Sequence, residues 1–577
     1  MSKKSNNGIK QRIVFIQILI VISIFLLGAK SFDIQIFKAK ELSRKAENSY
    51  SRHITIKGER GQIFDRNMNK LATSIDAFSI TACPLKIKEP GPVAKKLSKI
   101  LGINQRKLKK TLSSQNMFAY LAKGISPDQA EQIRKLNLDG IYFENDAKRF
   151  YPNRELCAQV IGFTGTDDSG LEGLEFKYNS VLEGKILKIK VKKDGNGGIL
   201  DIDKGKREKL RGKSIVLTLD KKIQFLSEQI LEKTVKAHQA KSGIALVMRP
   251  QTGEMLSIAH FPQFNPNNFK QYNHIVFRNR AVTDAFEPGS AMKVFTAAAA
   301  LENGFEPKSI FFCENGTYKI GSFTIHDTHH YDWLSINQII KFSSNIGAAK
   351  IGEKIGDKAL HNYLTAFGFG NKTRIECPGE TSGRLSPYQK WSKIDAGTIS
   401  FGQGVSVSAI QLISGISAIA NDGVLMKPLL IKKIISSTGE NLKVYHPEKI
   451  RRVISSKSAR RVKTMMRLVV EAKGTGSKAA MVGYTVCGKT GTAQKALKDQ
   501  KGYSKDNYIS IFTGFAPEAN PELAILIAVD EPRKQYYGGD VAAPAFKTIM
   551  AESFSYLNIP PEKNRDMVVL VSPGEQH

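Results

Sequence analysis

Between Ile13 and Ala29 the chain reads IVFIQILIVISIFLLGA, 17 residues in which only Gln17 and Ser23 are polar. Such a stretch is at the short end of what crosses a bilayer as a helix. In hydrocarbon every backbone N–H and C=O must be satisfied within the segment, so a helix is the conformation left to it. Lys3, Lys4, Lys10 and Arg12 precede it with no acid among the first twelve residues. Basic flanks stay in the cytoplasm. The expectation is a cytoplasmic tail at 1–12, a membrane helix at 13–30 and everything beyond on the far side of the cell membrane. A cleaved signal peptide competes, because Ala29-Lys30-Ser31 resembles a small-x-small cleavage site. Phe32, Ile34, Ile36 and Phe37 prolong the apolar pattern and favour an anchor.

The remainder is too long for one ordinary core: 577 residues divide into two or more domains. With 41% apolar and 24% charged residues it has the composition of a globular protein. The net charge of +33 implies anionic surroundings. The expected topology puts that charge on the wrong side of the membrane for nucleic acid, so no nucleic-acid partner is expected. The five cysteines, Cys83, Cys157, Cys313, Cys377 and Cys487, lie far apart without a C-x-x-C pair. Neither a zinc site nor a disulfide framework is indicated, and thiols buried as small hydrophobes are expected.

Residues 31–52 form a polar, basic connector. RGQIFDRNMNKLATS (Arg60–Ser74) follows, with a turn at Asn67-Met68-Asn69 between strand-like pieces. Residues 75–210 mix short strands with modest helices, among them the basic, amphipathic Val93–Lys110 region. Lys185–Lys213 holds eleven Lys/Arg against four acids around a Gly195-Asn196-Gly197-Gly198 turn. It reads as a seam, with a solvated strand face favoured over contact with an anionic polymer or lipid. From Ser214 to about Leu557 strand and helix patterns alternate. GIALVMRP (Gly243–Pro250) and ELAILIAVDEP (Glu522–Pro532) are strand candidates at either end, with mainly helical sequence between. One sheet backed by helices follows, an α/β or α+β layered fold.

Within this last part stands EPGSAMKVF, Glu287–Phe295, a serine behind Pro-Gly and a lysine one turn later. The lysine heads VFTAAAALENG, a helix pattern without a polar face that stops at Asn303-Gly304. A lysine buried there sheds its proton more easily than one in water. Ser-x-x-Lys occurs in the chain only at Ser290–Lys293, and Lys-Thr-Gly only at Lys489-Thr490-Gly491. Ser-x-Asn occurs at Ser5, Ser114, Ser335 and Ser343; Ser343-Ser344-Asn345 has the best context, an apolar helix start followed by small residues. Spacings of 53 and 146 residues separate Ser290, Ser343 and Lys489. A serine hydroxyl needs a base to become a nucleophile. At i and i+3 the Lys293 amine can reach Ser290, and burial with a second lysine nearby favours the neutral amine. The N–H groups of Ser290 and Thr492 are candidates for an oxyanion hole.

These three motifs are those of serine acyl transferases, and the chain resembles the class B penicillin-binding proteins. RGQIFDRN (Arg60–Asn67), RFYP (Arg149–Pro152) and GLEGLE (Gly170–Glu175) resemble their non-catalytic pedestal. LTLDKKIQ, SFGQGVSVSAIQL (Ser400–Leu412), GTGSKAAMVGYTVCGKTGTAQK (Gly474–Lys495) and YYGGDVAAPAF (Tyr536–Phe546) resemble their transpeptidase domain. Met68 departs from the glycine the family often has after DRN. The resemblance implies a pedestal (dimerisation-type) domain at 31–213, a β-lactamase-like transpeptidase domain at 214–557 and a tail at 558–577. It makes Ser290 the acylated nucleophile, Lys293 its base, Ser343 a proton relay, Asn345 a ligand for the substrate amide and Lys489 a tuner of the local field. Thr490, Gly491 and Thr492 would bind substrate, the two threonines holding the terminal carboxylate of a D-Ala-D-Ala stem peptide, and β-lactams would mimic that donor. No cofactor or metal is implied; HDTHHYD (His326–Asp332) reads as a loop near the rim of the site.

A β-lactamase would need a deacylating base, and no Glu-x-x-Leu-Asn follows the anchor. A bifunctional polymerase would need paired acids that the first 210 residues lack. A non-catalytic β-lactam sensor shares the serine and lysine but not the pedestal. Within class B, the compact length and the end of the chain soon after the catalytic part favour a septal, FtsI-type division enzyme over an elongation or sporulation type. Its implied partners are a SEDS-type glycosyltransferase and other division proteins.

Overall fold

The computed structural model describes residues 5–192, 209–321, 323–496 and 502–562. The Gly195–Gly198 turn and the tail beyond Glu562 lie outside them. The chain divides into two compact units, residues 1–59 with 184–211, and residues 60–183 with 212–577.

In the first unit a helix runs from Ser5 to Phe32, followed by a π-helical turn at Asp33–Phe37 and a second helix at Ala39–Tyr50. The span Gly8–Phe37 covers 30 residues and contains an 18-residue window with a mean hydropathy of 2.5, none of that window buried against protein. At about 1.5 Å per residue it is long enough to cross a hydrocarbon core of about 30 Å. The helix is longer than the apolar run that announces it, because residues 5–12 continue it at its N-terminal end. Within the basic run, Ile186–Lys192 is a strand paired antiparallel with Ser51–Lys57.

The second unit holds two large sheets. In the first, seven strands are joined in the order Asn441–Val444, Ile431–Ile435, Ser214–Leu217, Ile63–Phe64, Lys70–Ala82 and Ala119–Ile125, with Ile141–Phe150 also on Lys70–Ala82. The pairing of Ile63–Phe64 with Ser214–Leu217 is parallel. One hydrogen-bonded sheet therefore runs through residues on both sides of position 214. The basic Val93–Lys110 region forms two helices, Pro90–Leu101 and Gln105–Leu112. Gly102 breaks them, in the left-handed region at φ 66°, and the Asn104 side chain caps the second. Leu97, Leu108 and Leu112 turn inward onto Ile80, Leu121 and Ile125.

Three motifs far apart in sequence meet on one buried carboxylate. Glu175 accepts from Arg60 Nε and from Arg149 Nε, each at 2.6 Å. Arg60 also donates to Asn179 Oδ1 (2.7 Å) and to the carbonyls of Asp168 and Glu175 (3.0 and 2.8 Å), and Arg149 Nη1 donates to Gly61 O at 2.7 Å. Arg60 is 1% exposed and Glu175 0%. Buried charges of this kind survive by pairing and saturating their hydrogen bonds.

The turn at Asn67–Asn69 is held by Asp65, whose carboxylate accepts from the backbone N–H groups of Asn67 (2.9 Å) and Asn69 (2.7 Å). Met68 sits in the left-handed region at φ 65° and is largely exposed. A side chain there costs about 1 kcal/mol, partly offset by the greater unfolded-state freedom of glycine. Met68→Gly is expected to stabilise the protein by about 0.5 kcal/mol. Thermal unfolding of the full chain in detergent checks this, and a lowered midpoint would contradict it.

The second sheet has five strands in the order Cys487–Ala496, Tyr503–Ala516, Leu523–Asp530, Ser242–Met248 and Met255–Phe261. Both strand candidates from the sequence lie in it. They are buried on both faces, which is why they read as continuous apolar runs. Ile244, Leu246 and Leu526 face one core, with Phe295 and Ile413 of the helices Lys293–Glu302 and Ala409–Ala420. Ala245, Val247 and Ile527 face the other, with Leu231 of Lys221–Ala237 and Phe546 and Phe554 of Ala543–Tyr556. This mixed α+β layer carries the candidate site on its outer strand, Cys487–Ala496. Of the five thiols, Cys157, Cys313, Cys377 and Cys487 are buried and Cys83 is partly so.

Candidate active site

Pro288 and Gly289 turn the chain so that Ser290 lies in a 3-10 turn, Gly289–Met292, which feeds straight into the helix Lys293–Glu302. The backbone of Gly289, at φ 52°, is pressed between two others. A Cβ on it would stand 2.9 Å from Thr492 O, and one on Gly402 would stand 2.1 Å from Gly289 O. Glycine at both positions is what lets the Ser290 turn, the Lys489 strand and the Ser400–Leu412 motif come together. Ser290 itself is partly exposed, whereas Gly289, Ala291 and Met292 around it are buried. Every residue from Lys293 to Leu301 is buried, as a helix pattern with no polar face requires.

Ser343 occupies a corner. It ends the helix Ile336–Phe342 in the left-handed region, at φ 63° and ψ 39°, and Ser344 then caps the helix Asn345–Ile355 through Gly347 N at 2.9 Å. A non-glycine residue held in that region is costly and marks a place where the surroundings dictate the backbone. The two lysines converge here. Lys489 Nζ lies 2.9 Å and Lys293 Nζ 3.2 Å from Ser343 Oγ. Lys293 Nζ also donates to Asn345 Oδ1 at 2.7 Å and to Ser343 O. Lys489 Nζ donates further to Thr490 O and approaches Thr490 Oγ1, at 3.2 and 3.3 Å. Both lysines are 0% exposed.

Burial dominates the electrostatics. It brings the Lys293 amine down to about 7, against the opposing pull of the nearby Asp327 carboxylate. Lys489 is depressed well below the usual lysine range, first by burial and then by the charge of Lys293. Two ammonium groups around one oxygen, away from water, are a costly arrangement, and proton loss relieves it.

The remaining expected site residues are arranged unequally. Asn345 has both ends of its amide engaged, the oxygen by Lys293 and Nδ2 by His326 O at 2.9 Å. Thr490 is 7% exposed, with its hydroxyl 3.0 Å from that of Thr475. Thr492 is more open, and its hydroxyl accepts from Gly538 N at 3.1 Å. Gly491 packs against the same glycine: a Cβ on Gly538 would meet Gly491 O at 2.4 Å, so the YYGGDVAAPAF segment lies directly on the strand.

Two participants went unread in the sequence. Asp327 accepts from Ser344 Oγ at 2.6 Å, from Ile346 N at 3.1 Å and from Asn345 N, fixing the turn that carries Ser343 and Asn345. In HDTHHYD, expected as a loop near the rim, it is the aspartate that does this work. His330 Nδ1 lies 2.7 Å from Asn315 O, and among the described residues no group of three His, Cys, Asp or Glu is placed to hold a metal ion. Thr475, within the GTGSK run, supports the Thr490 hydroxyl. The signal for it was its place in that motif.

The penicillin-binding protein transpeptidase domain family matches residues 243–551, and the penicillin-binding protein dimerisation domain family matches residues 55–217. The probable peptidoglycan D,D-transpeptidase PenA of Neisseria meningitidis is 34% identical over 576 residues, covering 99% of this chain and 96% of PenA. The peptidoglycan D,D-transpeptidase FtsI of Escherichia coli K12 is 32% identical over 93% of this chain and 90% of its own. Among solved structures, penicillin-binding protein 3 of Mycobacterium tuberculosis in complex with aztreonam superposes with a TM-score of 0.69 at 28% identity, over 88% of this chain and 98% of that one.

Proposed function

The chain belongs to the penicillin-binding protein family as a class B peptidoglycan D,D-transpeptidase, and on that premise we propose that Ser290 is its acylated nucleophile and that it cross-links stem peptides at the division septum. The observation that carries the chemical reading is that Lys293, three residues after Ser290 in the chain, meets Lys489 on the Ser343 hydroxyl.

Neutral Lys293 takes the proton of Ser290 Oγ as that oxygen attacks the carbonyl carbon of the penultimate D-alanine. The Ser290 and Thr492 N–H groups receive the developing oxyanion. Collapse breaks the peptide bond, and the proton passes from Lys293 through the Ser343 hydroxyl to the departing amine of D-alanine. An acceptor amine then attacks the Ser290 ester, gives up its proton to Lys293, and releases the cross-link as the serine regains its hydrogen. Thr490, Gly491 and Thr492 hold the donor's terminal carboxylate, and Asn345 serves both Lys293 and the substrate amide. The strand Cys487–Ala496 is at the edge of its sheet, free to receive an extended peptide alongside. β-Lactams occupy the donor's place and stay on Ser290.

Residues 31–213 serve as pedestal and 214–557 as transpeptidase, with residues 1–12 in the cytoplasm, 13–30 in the membrane and the catalytic part outside. FtsI among the relatives favours the septal role, with a SEDS-type glycosyltransferase and other division proteins as partners. Benzylpenicillin added to the full chain in detergent is expected to raise its intact mass by one β-lactam, with the adduct on the peptide containing Ser290. An adduct elsewhere would end the assignment. A tagged copy is expected at the septum; a uniform sidewall pattern would transfer it to elongation.

A further inference from the structure

A second site lies away from the lysine pair, where the pedestal strands meet the Pro266–Gln271 turn. A cavity of about 420 Å³ is lined there by Lys123, Lys148, Arg149 and Lys270 against the carboxylates of Asp146 and Asp168. Asp146 is already engaged, its two oxygens accepting from Ser79 Oγ and from Ala147 N at 2.8 Å. Lys148 and Lys270 are exposed and make no ion pair among the described residues.

Beneath them the guanidinium groups of Arg60 and Arg149 share the single buried carboxylate of Glu175, and the Asp168 carboxylate also attracts Arg149. Arg149 is 6% exposed, and its Nη2 has no hydrogen-bond partner among the described residues. A buried guanidinium N–H without an acceptor is expensive, and a planar guanidinium is suited to holding an oxyanion. The same residue lines a cavity rimmed by cations.

We propose that this cavity binds an oxyanion, a phosphate or carboxylate of a wall precursor or fragment, seated against Arg149 with Lys148 and Lys270 closing over it. It stands apart from the reaction at Ser290, so its occupancy does not depend on acylation.

The test is titration calorimetry on the full chain in detergent, at constant ionic strength against chloride. One arm uses inorganic phosphate and the other N-acetylmuramyl-L-alanyl-D-glutamate, which separates the two sources of the anion. The muramyl arm is run after Ser290 has been saturated with benzylpenicillin, so that binding at the catalytic cleft is blocked. At least one probe is expected to bind at one site per chain. Lys148→Ala with Lys270→Ala is expected to weaken that binding about fivefold to tenfold, the loss of two partly screened charges. Lys270→Glu alone is expected to do so if the double variant folds poorly. No saturable binding of either probe, or affinity unchanged in these variants, overturns the proposal and leaves Arg149 Nη2 to a structural water. A failed benzylpenicillin adduct with intact phosphate binding would instead sink the reading of Ser290 alone.

Discussion

Ser290→Ala protein is expected to carry no covalent penicillin, and Lys293→Ala protein to acylate about 10²–10⁴ times more slowly than the wild type, the range for loss of a positioned general base. The second figure follows from placement. Lys293 is the buried amine one turn from Ser290, and Ser343 Oγ, Ser343 O and Asn345 Oδ1 hold it there. Alanine removes the amine and leaves Ser343 Oγ with Lys489 alone. Acylation rate against pH is the sharper reading. The base must be neutral, and burial brings Lys293 from 10.5 to about 7. The neutral fraction therefore falls as the pH drops through 7, and the acylation rate with it, by about tenfold per unit below that point. Above it the rate levels off. Stopped-flow acylation between pH 5 and 9 measures this, and a rate still climbing tenfold per unit at pH 9 would mean an ordinary lysine. The same burial has a cost in stability. An unfolded lysine binds a proton that the native one has lost, so this contribution improves as the pH rises from about 7 toward 10.5 and is worst below 7.

Glu175→Ala is expected to lose about 3–5 kcal/mol of stability, the typical cost of breaking a buried ion pair from one side. Here one deletion strands two buried guanidinium groups, those of Arg60 and Arg149, of which Arg60 is 1% exposed. Against a typical total of about 5–15 kcal/mol, a loss of that size leaves much of the chain unfolded at 37 °C. Glu175→Gln keeps an acceptor without the charge and is expected to fall between the alanine variant and the wild type. Differential scanning calorimetry in detergent decides it. A midpoint lowered by less than about 2 °C for Glu175→Ala would show that the arginines find other acceptors cheaply.

What could be read from the sequence depended on how local the physical signal was. The apolar run Ile13–Ala29 and the twice-buried strands are local composition, and each shows itself in a few residues. Ser290 with Lys293 is likewise local, one helical turn. Ser343-Asn345 and Lys489-Thr490-Gly491 were recognisable only as motifs, and the structure brings both lysines to the same hydroxyl. Asp327 could not be seen. Its role exists only because the strand Phe323–His326 returns to the start of the Asn345–Ile355 helix, and nothing within HDTHHYD encodes that arrival. The convergence of Arg60, Arg149 and Glu175 was equally hidden, across separations of 115 and 26 residues. Each of the three lies in its own motif, and a motif does not encode its neighbours in space. Thr490 was expected to face substrate directly, and the Thr475 hydroxyl proves to be part of its setting.

The sheet that passes through Ser214–Leu217 has a mechanical meaning. Ile215 N bonds to Gln62 O, Arg66 N to Leu219 O and Lys221 N to Asp65 Oδ2, at 2.9, 2.9 and 3.1 Å. On its other flank the same strand pairs with Ile431–Ile435. Peptide ladders transmit displacement stiffly, so a pull on the strands around Lys70–Ile125 arrives at Ser214–Leu217 and Ile431–Ile435 as tension rather than being absorbed at a joint. A polypeptide cut to begin at Ser214 would carry a raw flank seeking any strand to clasp.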